Sequence, residues 1–247
     1  MNSKLKIFCV FHDTNLWPEI VDRINGDENI VPLKCGCKDH ETGKLNNVIF
    51  DDVGDNISNL NPFVNEITGI YWLWKHLEEI GNPDFIGLCH YRRFFKADDI
   101  QNYRKYDIIN ISNKRIFPMS IYQQYCSNKN HDRELLDYLS EDASKKTGVN
   151  VMGYFSNRFN LFKMCNMFIM KRELFKHYGA FIDAMTKTAY GHVKPFETLK
   201  DKSFEDKRTM SFALERMSSF WMDFVSLLWR CQTKTLLDIE YFKVKPW

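Results

Sequence analysis

Residues 61–93 read NPFVNEITGIYWLWKHLEEIGNPDFIGLCHYRR, and this stretch decides the fold. Asn61 stands as an N-cap and Pro62 follows at the first helical position, where its missing N–H costs nothing. Ile67, Ile70, Leu73, Trp74, Leu77 and Ile80 recur at helical spacing. Gly81-Asn82-Pro83 then stops the helix. The apolar run Asp84–His90 follows as a buried strand and empties into His90-Tyr91-Arg92-Arg93. A capped helix feeding an apolar strand that ends in charge is one unit of an α/β sheet.

The same rhythm extends upstream. Lys6–Phe11 reads as a buried strand, Trp17–Ile24 as a short helix opened by Pro18, and Asn29–Lys34 and Asn47–Phe50 as further strands. Downstream, Tyr106–Ile111 and Leu161–Met170 read as strands. Pro118–Cys126, Arg133–Lys145, Lys171–Tyr190 and Phe204–Trp229 read as helices. Near-continuous apolar strands predict a mostly parallel sheet covered on both faces, with a more helical C-terminal portion. No repeat, low-complexity tract or Pro/Gly-rich linker divides the chain, so residues 1–247 read as one domain. Its halves are 1–115 and 116–247.

Composition narrows the function. Of 247 residues 44% are hydrophobic and 15% aromatic, which excludes a disordered chain. Lys and Arg number 34 against 32 Asp and Glu, a net charge of +2. That balance lacks the basic footprint of a nucleic-acid binder but leaves room for a local phosphate pocket. Seven cysteines, most in apolar runs, suit reduced core thiols. Cys35-Gly36-Cys37 has the look of half a metal clip, but no second Cys/His pair follows at finger spacing, which argues against a metal role. The start of the chain carries no signal-peptide core, and no apolar run approaches the ~20 residues that span a bilayer. The expectation is a cytoplasmic protein, with peripheral association at the inner membrane face and self-association left open. Trp221, Trp229 and Trp247 are the residues that raise the question of a nearby lipid-linked substrate.

In open α/β sheets, ligands bind beyond the carboxyl ends of the strands. His12 and Asp13 follow the first strand. Asp51, Asp52, Gly54, Asp55 and Asn56 follow the fourth, and His90, Tyr91, Arg92 and Arg93 the next. Two guanidiniums and an imidazole there can hold a diphosphate, because Arg presents a planar fork to phosphate oxygens. Arg92 and Arg93 can equally point to opposite faces as structural ties. The acidic stretch is either a metal site, a base or an ordinary Asp/Gly turn. Glu66, Tyr71 and Lys75 share the polar side of the long helix. Arg208 and Glu215 lie about two helical turns apart on one face, as an active-site acid beside a cation or as a solvent-facing pair. The chain has no P-loop, Gly-x-Gly-x-x-Gly or Gly-x-Ser-x-Gly motif. It also lacks the strand-end Asp-x-Asp through which many nucleotide-sugar enzymes hold a divalent ion.

The segments Asp52-Val53-Gly54-Asp55-Asn56-Ile57-Ser58, 65–75 and 86–95, followed by Asn166-Met167-Phe168-Ile169-Met170 and Ser211-Phe212-Ala213-Leu214-Glu215-Arg216, stand in that order along the chain. Together they resemble a bacterial exopolysaccharide-biosynthesis family, formerly a domain of unknown function and now assigned to galactofuranosyltransferases. The likeness runs from about His12 to Trp221, in the expected order; the loop at Asp13-Thr14 and the segment 40–46 depart from it. The resemblance implies a GT-A-like, Rossmann-like fold, UDP-galactofuranose as donor, and a saccharide or lipid-linked oligosaccharide acceptor. The product would be a β-linked galactofuranose in capsule, O-antigen or exopolysaccharide.

An α-configured UDP-sugar giving a β-linked product implies inversion in one displacement, with a carboxylate base and cations on the departing diphosphate. The expected stabilisers are Arg92 with His90 and Arg93, helped by Lys75. The expected base is Glu215, with Asp55 as the alternative. His12, Asn56, Ser58, Asn61, Glu66, Tyr71, Lys75, Arg93 and Arg208 would form the donor site, and no metal or other cofactor is expected. Other readings are a non-catalytic glycan- or nucleotide-sugar-binding protein, a transferase for another UDP-hexose, and a phosphate-handling hydrolase.

Overall fold

The computed structural model describes residues 4–24, 27–36, 45, 47–112, 118–237 and 240–241. Cys37, Trp247 and all of the 40–46 segment but Leu45 lie outside them. In chain order the first half forms β1 (Leu5–Phe11), α1 (Trp17–Ile24), β2 (Ile30–Lys34), β3 (Ile49–Phe50), α2 (Asn61–Val64), α3 (Ile67–Lys75), β4 (Phe85–His90), β5 (Arg93–Phe94), α4 (Ala97–Gln101) and β6 (Ile108–Ser112). The second half forms α5 (Ile121–Cys126), α6 (Arg133–Thr147), α7 (Val151–Ser156), β7 (Lys163–Lys171), α8 (Arg172–Val193), α9 (Pro195–Thr198), α10 (Phe204–Lys207), α11 (Thr209–Leu228), β8 (Thr233–Leu236) and β9 (Glu240–Tyr241).

The strands make one sheet in the order β3-β2-β1-β4-β7-β6-β8, with β5 on the end of β4 and β9 on β5. Pairing is parallel from β3 to β4 and between β6 and β8, while β7 runs against both its neighbours. Side chains alternate between two cores, as the period of a strand requires. Phe8, Val10, Ile86, Leu88, Phe168 and Met170 face a thick helical layer. Ile7, Cys9, Phe85, Cys89, Ile109 and Ile169 face a smaller core with Leu16 and Ile20. Burial on both faces is why these strands read as continuous apolar runs.

Local chemistry sets the helix ends. Ser120 and Gln123 form a reciprocal capping box at the start of α5. Asp132 caps α6, whose last turn ends on left-handed Gly148. Helix α3 packs hard on the sheet because Gly69 leaves no Cβ, which would stand 2.7 Å from Cys35 Sγ.

Two helices depart from expectation. The expected single helix from Asn61 breaks at Asn65, whose φ and ψ are 51° and −129°. Leu60, not Asn61, occupies the N-cap, and the stretch after Lys75 is turns. The break is held by polar side chains: Asn61 Nδ2 and Thr68 Oγ1 both donate to the Asn65 carbonyl, at 2.9 and 3.1 Å. The apolar spacing continues across the break because both pieces still bury one face. The second expected helix, Phe204–Trp229, is interrupted at Arg208, the hinge between α10 and α11. Helix α7 and strands β5, β8 and β9 carry too little periodic sequence to be read in advance.

Candidate functional site

A cleft of about 450 Å³ opens at the carboxyl ends of β1, β2 and β4. His12 and Cys35 reach it from β1 and β2, and Asn61, Asn65 and Glu66 from the α2–α3 break. His90, Tyr91, Arg92 and Arg93 close it from β4, Cys165 from β7, and Phe204, Arg208, Ser211, Phe212 and Glu215 from α10 and α11.

Its floor is shaped by an irregularity in β7. Cys165 and Asn166 are both left-handed, at φ 63° and 47°. Pairing with β6 jumps from Asn110↔Phe168 to Ser112↔Lys163 across the same stretch. Non-glycine residues in this region cost of order 1–3 kcal/mol each and cluster at functional sites. The kink lets one short segment reach three cleft residues. The Cys165 carbonyl accepts from His90 Nε2 at 2.6 Å. The Cys165 N–H donates to Glu215 Oε1, and Asn166 Nδ2 donates to Glu66 Oε1 at 2.8 Å.

That first contact changes the reading of His90. A carbonyl can only accept, so Nε2 carries the hydrogen. Burial pushes the imidazole pKa down, against the pull of Glu66 and the Cys165 carbonyl, and Arg93 and Arg92 push it the same way as burial. His90 is therefore a neutral donor committed to the floor, and the expectation of a third cation here is corrected. The two arginines beside it diverge. Arg92 is exposed, with its guanidinium 5.0 Å from the Tyr91 ring, and its charge acts on His12. The charge of Arg93 acts inward on His90, Cys165 and Glu215.

Glu215 is the most constrained acid of the cleft. Arg216 Nη1 holds its second oxygen at 2.8 Å, with the glutamate side chain 17% exposed and the arginine 3%. Arg216 also donates to Gln124 Oε1 at 2.7 Å and lies 4.2 Å from the centre of the Phe162 ring. Burial raises the Glu215 pKa; Arg216 chiefly opposes this, and the Glu66 carboxylate adds to the rise. A carboxyl raised in this way accepts a proton more readily than a solvated one.

Arg208 forms the opposite wall. Its guanidinium sits 5.4 Å from the rings of both Phe204 and Phe212. With the Asn65 amide turned to satisfy its neighbours, the Asn65 oxygen accepts from Arg208 Nε at 2.8 Å, Arg208 Nη2 at 2.9 Å and Ser211 Oγ at 2.7 Å. The helix break thus ties Arg208 to the first half of the chain. His12 lies edge-on to Tyr91, with ring centres 5.7 Å apart. Partial burial lowers its pKa, Asp13 opposes, and Lys34, Arg208 and Arg92 lower it further. Arg92 and Arg208 thus gather positive charge around His12, while Glu66 and Glu215 gather negative charge near the floor.

The other expected residues lie elsewhere. Asp55, Asn56, Ser58, Tyr71 and Lys75 are not among the residues lining the cleft. Asp55 is exposed, accepts from Tyr71 Oη at 2.8 Å and pairs with Lys75 at 3.3 Å. The tyrosine hydrogen bond is the largest influence lowering its pKa, so it is a weak base. Asn56 bonds the Asp52 and Gly54 carbonyls, and Ser58 donates to buried Asp51. These residues brace the Asp/Gly turn. Asn65, Cys165, Asn166, Ser211 and Arg216 were not foreseen. The available signals were an Asn inside an otherwise apolar strand and an Arg inside an apolar helix stripe.

Among the described residues, no group of three or more His, Cys, Asp or Glu side chains could hold a metal ion. None of the described helices is long and apolar enough to cross a membrane.

A strand-end cleft with a cationic wall and an acidic floor, on a mostly parallel sheet helical on both faces, defines a GT-A-like α/β protein. A structure of the bifunctional glycosyltransferase WbbM in its apo form shares that fold, with a TM-score of 0.70 at 17% identity. The likeness covers 98% of this chain and 46% of that one, so the chain spans less than half the length of that relative. The family model described as a domain of unknown function (DUF4422) matches residues 6–225, and the chain belongs to that family. No curated protein matches it.

Proposed function

We propose that the chain is an inverting glycosyltransferase that passes galactofuranose from UDP-galactofuranose to a saccharide acceptor of a cell-surface glycan. The observation that carries the reading is the polarised cleft: Arg92 and Arg208 on the side of His12, Glu215 and Glu66 toward the floor. The GT-A-like frame shared with WbbM supports the transferase class. Support for the donor sugar comes from the sequence motifs at 52–58, 65–75 and 86–95.

Arg92 and Arg208 hold the diphosphate, with Arg93 adding positive charge from the floor side. Guanidiniums stabilise the departing charge, and Arg208, tied to Asn65, does so without reorganising during the reaction. Glu215 takes the proton from the attacking acceptor hydroxyl. Its raised pKa suits a general base, because the proton-transfer driving force grows with basicity. Neutral His90 holds the floor in shape, while His12 and Asn61 border the donor.

The test is calorimetric titration of the protein with UDP and UDP-galactofuranose, with and without EDTA, beside an Arg92→Ala variant. Binding that ignores EDTA and weakens at least tenfold in the variant is expected, since hydrogen bonds to charged groups contribute about 1.5–3 kcal/mol. Transfer is then read on a panel of UDP-sugars. Absence of UDP binding sinks the transferase reading, and preference for another UDP-hexose removes the galactofuranose assignment.

A further inference from the structure

The left-handed pair in β7 does something that bending a strand does not require. Asn166 is 2% exposed and left-handed, and its Oδ1 is buried with no donor. Native proteins rarely bury an acceptor unsatisfied, and strained backbone persists only where its surroundings over-determine it. What the arrangement secures is the other end of the amide, Nδ2, on Glu66 Oε1 at 2.8 Å. Glu66 stands at the break between α2 and α3 and lines the cleft. Among the described residues Asn166 is the one hydrogen-bond donor to its carboxylate, so Oε2 is left to the cleft. Around it stand neutral His90, Glu215 with its Arg216 partner, the Cys165 thiol and Arg93.

We propose that Asn166 is a positioning residue that aims Glu66 Oε2 at a hydroxyl of the donor's sugar, creating a subsite for a neutral polyol ring beside the diphosphate clamp. This rests on the transferase reading above. A neutral sugar presents hydroxyls alone, and a carboxylate accepts an O–H in a short, charge-assisted bond. The amide ties down one carboxylate oxygen and thereby orients the other. The two helix pieces contribute too: an unbroken helix would not present residue 66 from a helix start.

The experiment compares UDP with UDP-galactofuranose by titration without acceptor, on wild type, Asn166→Gly and Glu66→Gln. Glycine keeps the left-handed kink without strain, so Asn166→Gly removes the amide and leaves the backbone path. The wild type should bind the nucleotide sugar more tightly than UDP. Both variants should lose about tenfold of that sugar-dependent gain, with UDP affinity unchanged, because one charged hydrogen bond is lost. A full sugar-dependent gain in Asn166→Gly overturns the proposal. So does an equal loss of UDP affinity in that variant, which would mark a purely structural amide. A wild type that binds UDP but gains nothing from the sugar overturns this inference alone. A wild type that binds neither ligand removes the transferase reading and this one with it.

Discussion

Replacing Arg216 by Met tests how the buried ion pair governs the cleft. The methionine keeps much of the volume against Phe162 and Tyr125, whose ring centres lie 4.2 and 5.1 Å from the guanidinium. It removes the 2.8 Å bond to Glu215, the 2.7 Å bond to Gln124 and the 3.2 Å bond to the Phe212 carbonyl. Among the described residues, Glu215 then keeps the Cys165 N–H alone. Breaking a buried pair from one side costs about 3–5 kcal/mol. For a domain of this size that is a fall in Tm of roughly 6–20 °C. The loss depends on pH with a definite sign. Burial already raises the Glu215 pKa, and Arg216 is the largest influence lowering it. Removing Arg216 raises the folded-state value further above the ordinary 4.5. Between those two values the folded variant binds a proton that the unfolded chain has released, so its stability falls as pH rises. The Tm gap to wild type should be small near pH 4.5 and reach full size at pH 8. Thermal melts followed by circular dichroism across that range are the assay. An equal gap at both ends would show that packing rather than charge is lost, and a gap below about 2 °C would refute the ion-pair argument altogether.

Three further outcomes follow from the geometry. Glu215→Gln should lower kcat for transfer by about 10²–10⁴ while UDP affinity stays within about twofold, and retained turnover would end its role as base. Arg208→Ala removes the cation tied to Asn65 and should weaken UDP by about tenfold or more; unchanged calorimetric binding would take Arg208 out of the clamp. In Gly179→Ala the new Cβ would stand 2.2 Å from Trp74 Cγ, between α3 and α8. Overpacking there should cost about 1–3 kcal/mol in denaturant unfolding, and a neutral result would show that the two helices separate freely.

Much of the frame was legible from residues 61–93 and their surroundings. Strands β1, β2, β4 and β7 lie within a residue or two of the expected runs, because strands buried on both faces must be apolar throughout. Helix α1 matches Trp17–Ile24 end to end. The strand-end rule also led to His12, His90, Arg92 and Arg93, all of which line the cleft. Helical spacing did less well. It placed Glu66, Tyr71 and Lys75 on one polar face, but the break at Asn65 turns Glu66 into the cleft. Tyr71 and Lys75 go to Asp55 instead.

By itself, then, the sequence determined the layers, the edge where ligands meet the sheet, and most of the charged side chains found there. Periodicity and strand-end chemistry are local properties, written in neighbouring residues. Tertiary structure alone decided which charges act together. Arg208 meets Asn65, and Glu66 meets Asn166, across separations of 143 and 100 residues. Both meetings depend on left-handed asparagines, at 65 and 166. No local pattern demands such conformations. Asn65 is held by its neighbours Asn61 and Thr68 as well as by distant Arg208 and Ser211, and Asn166 is tied to distant Glu66.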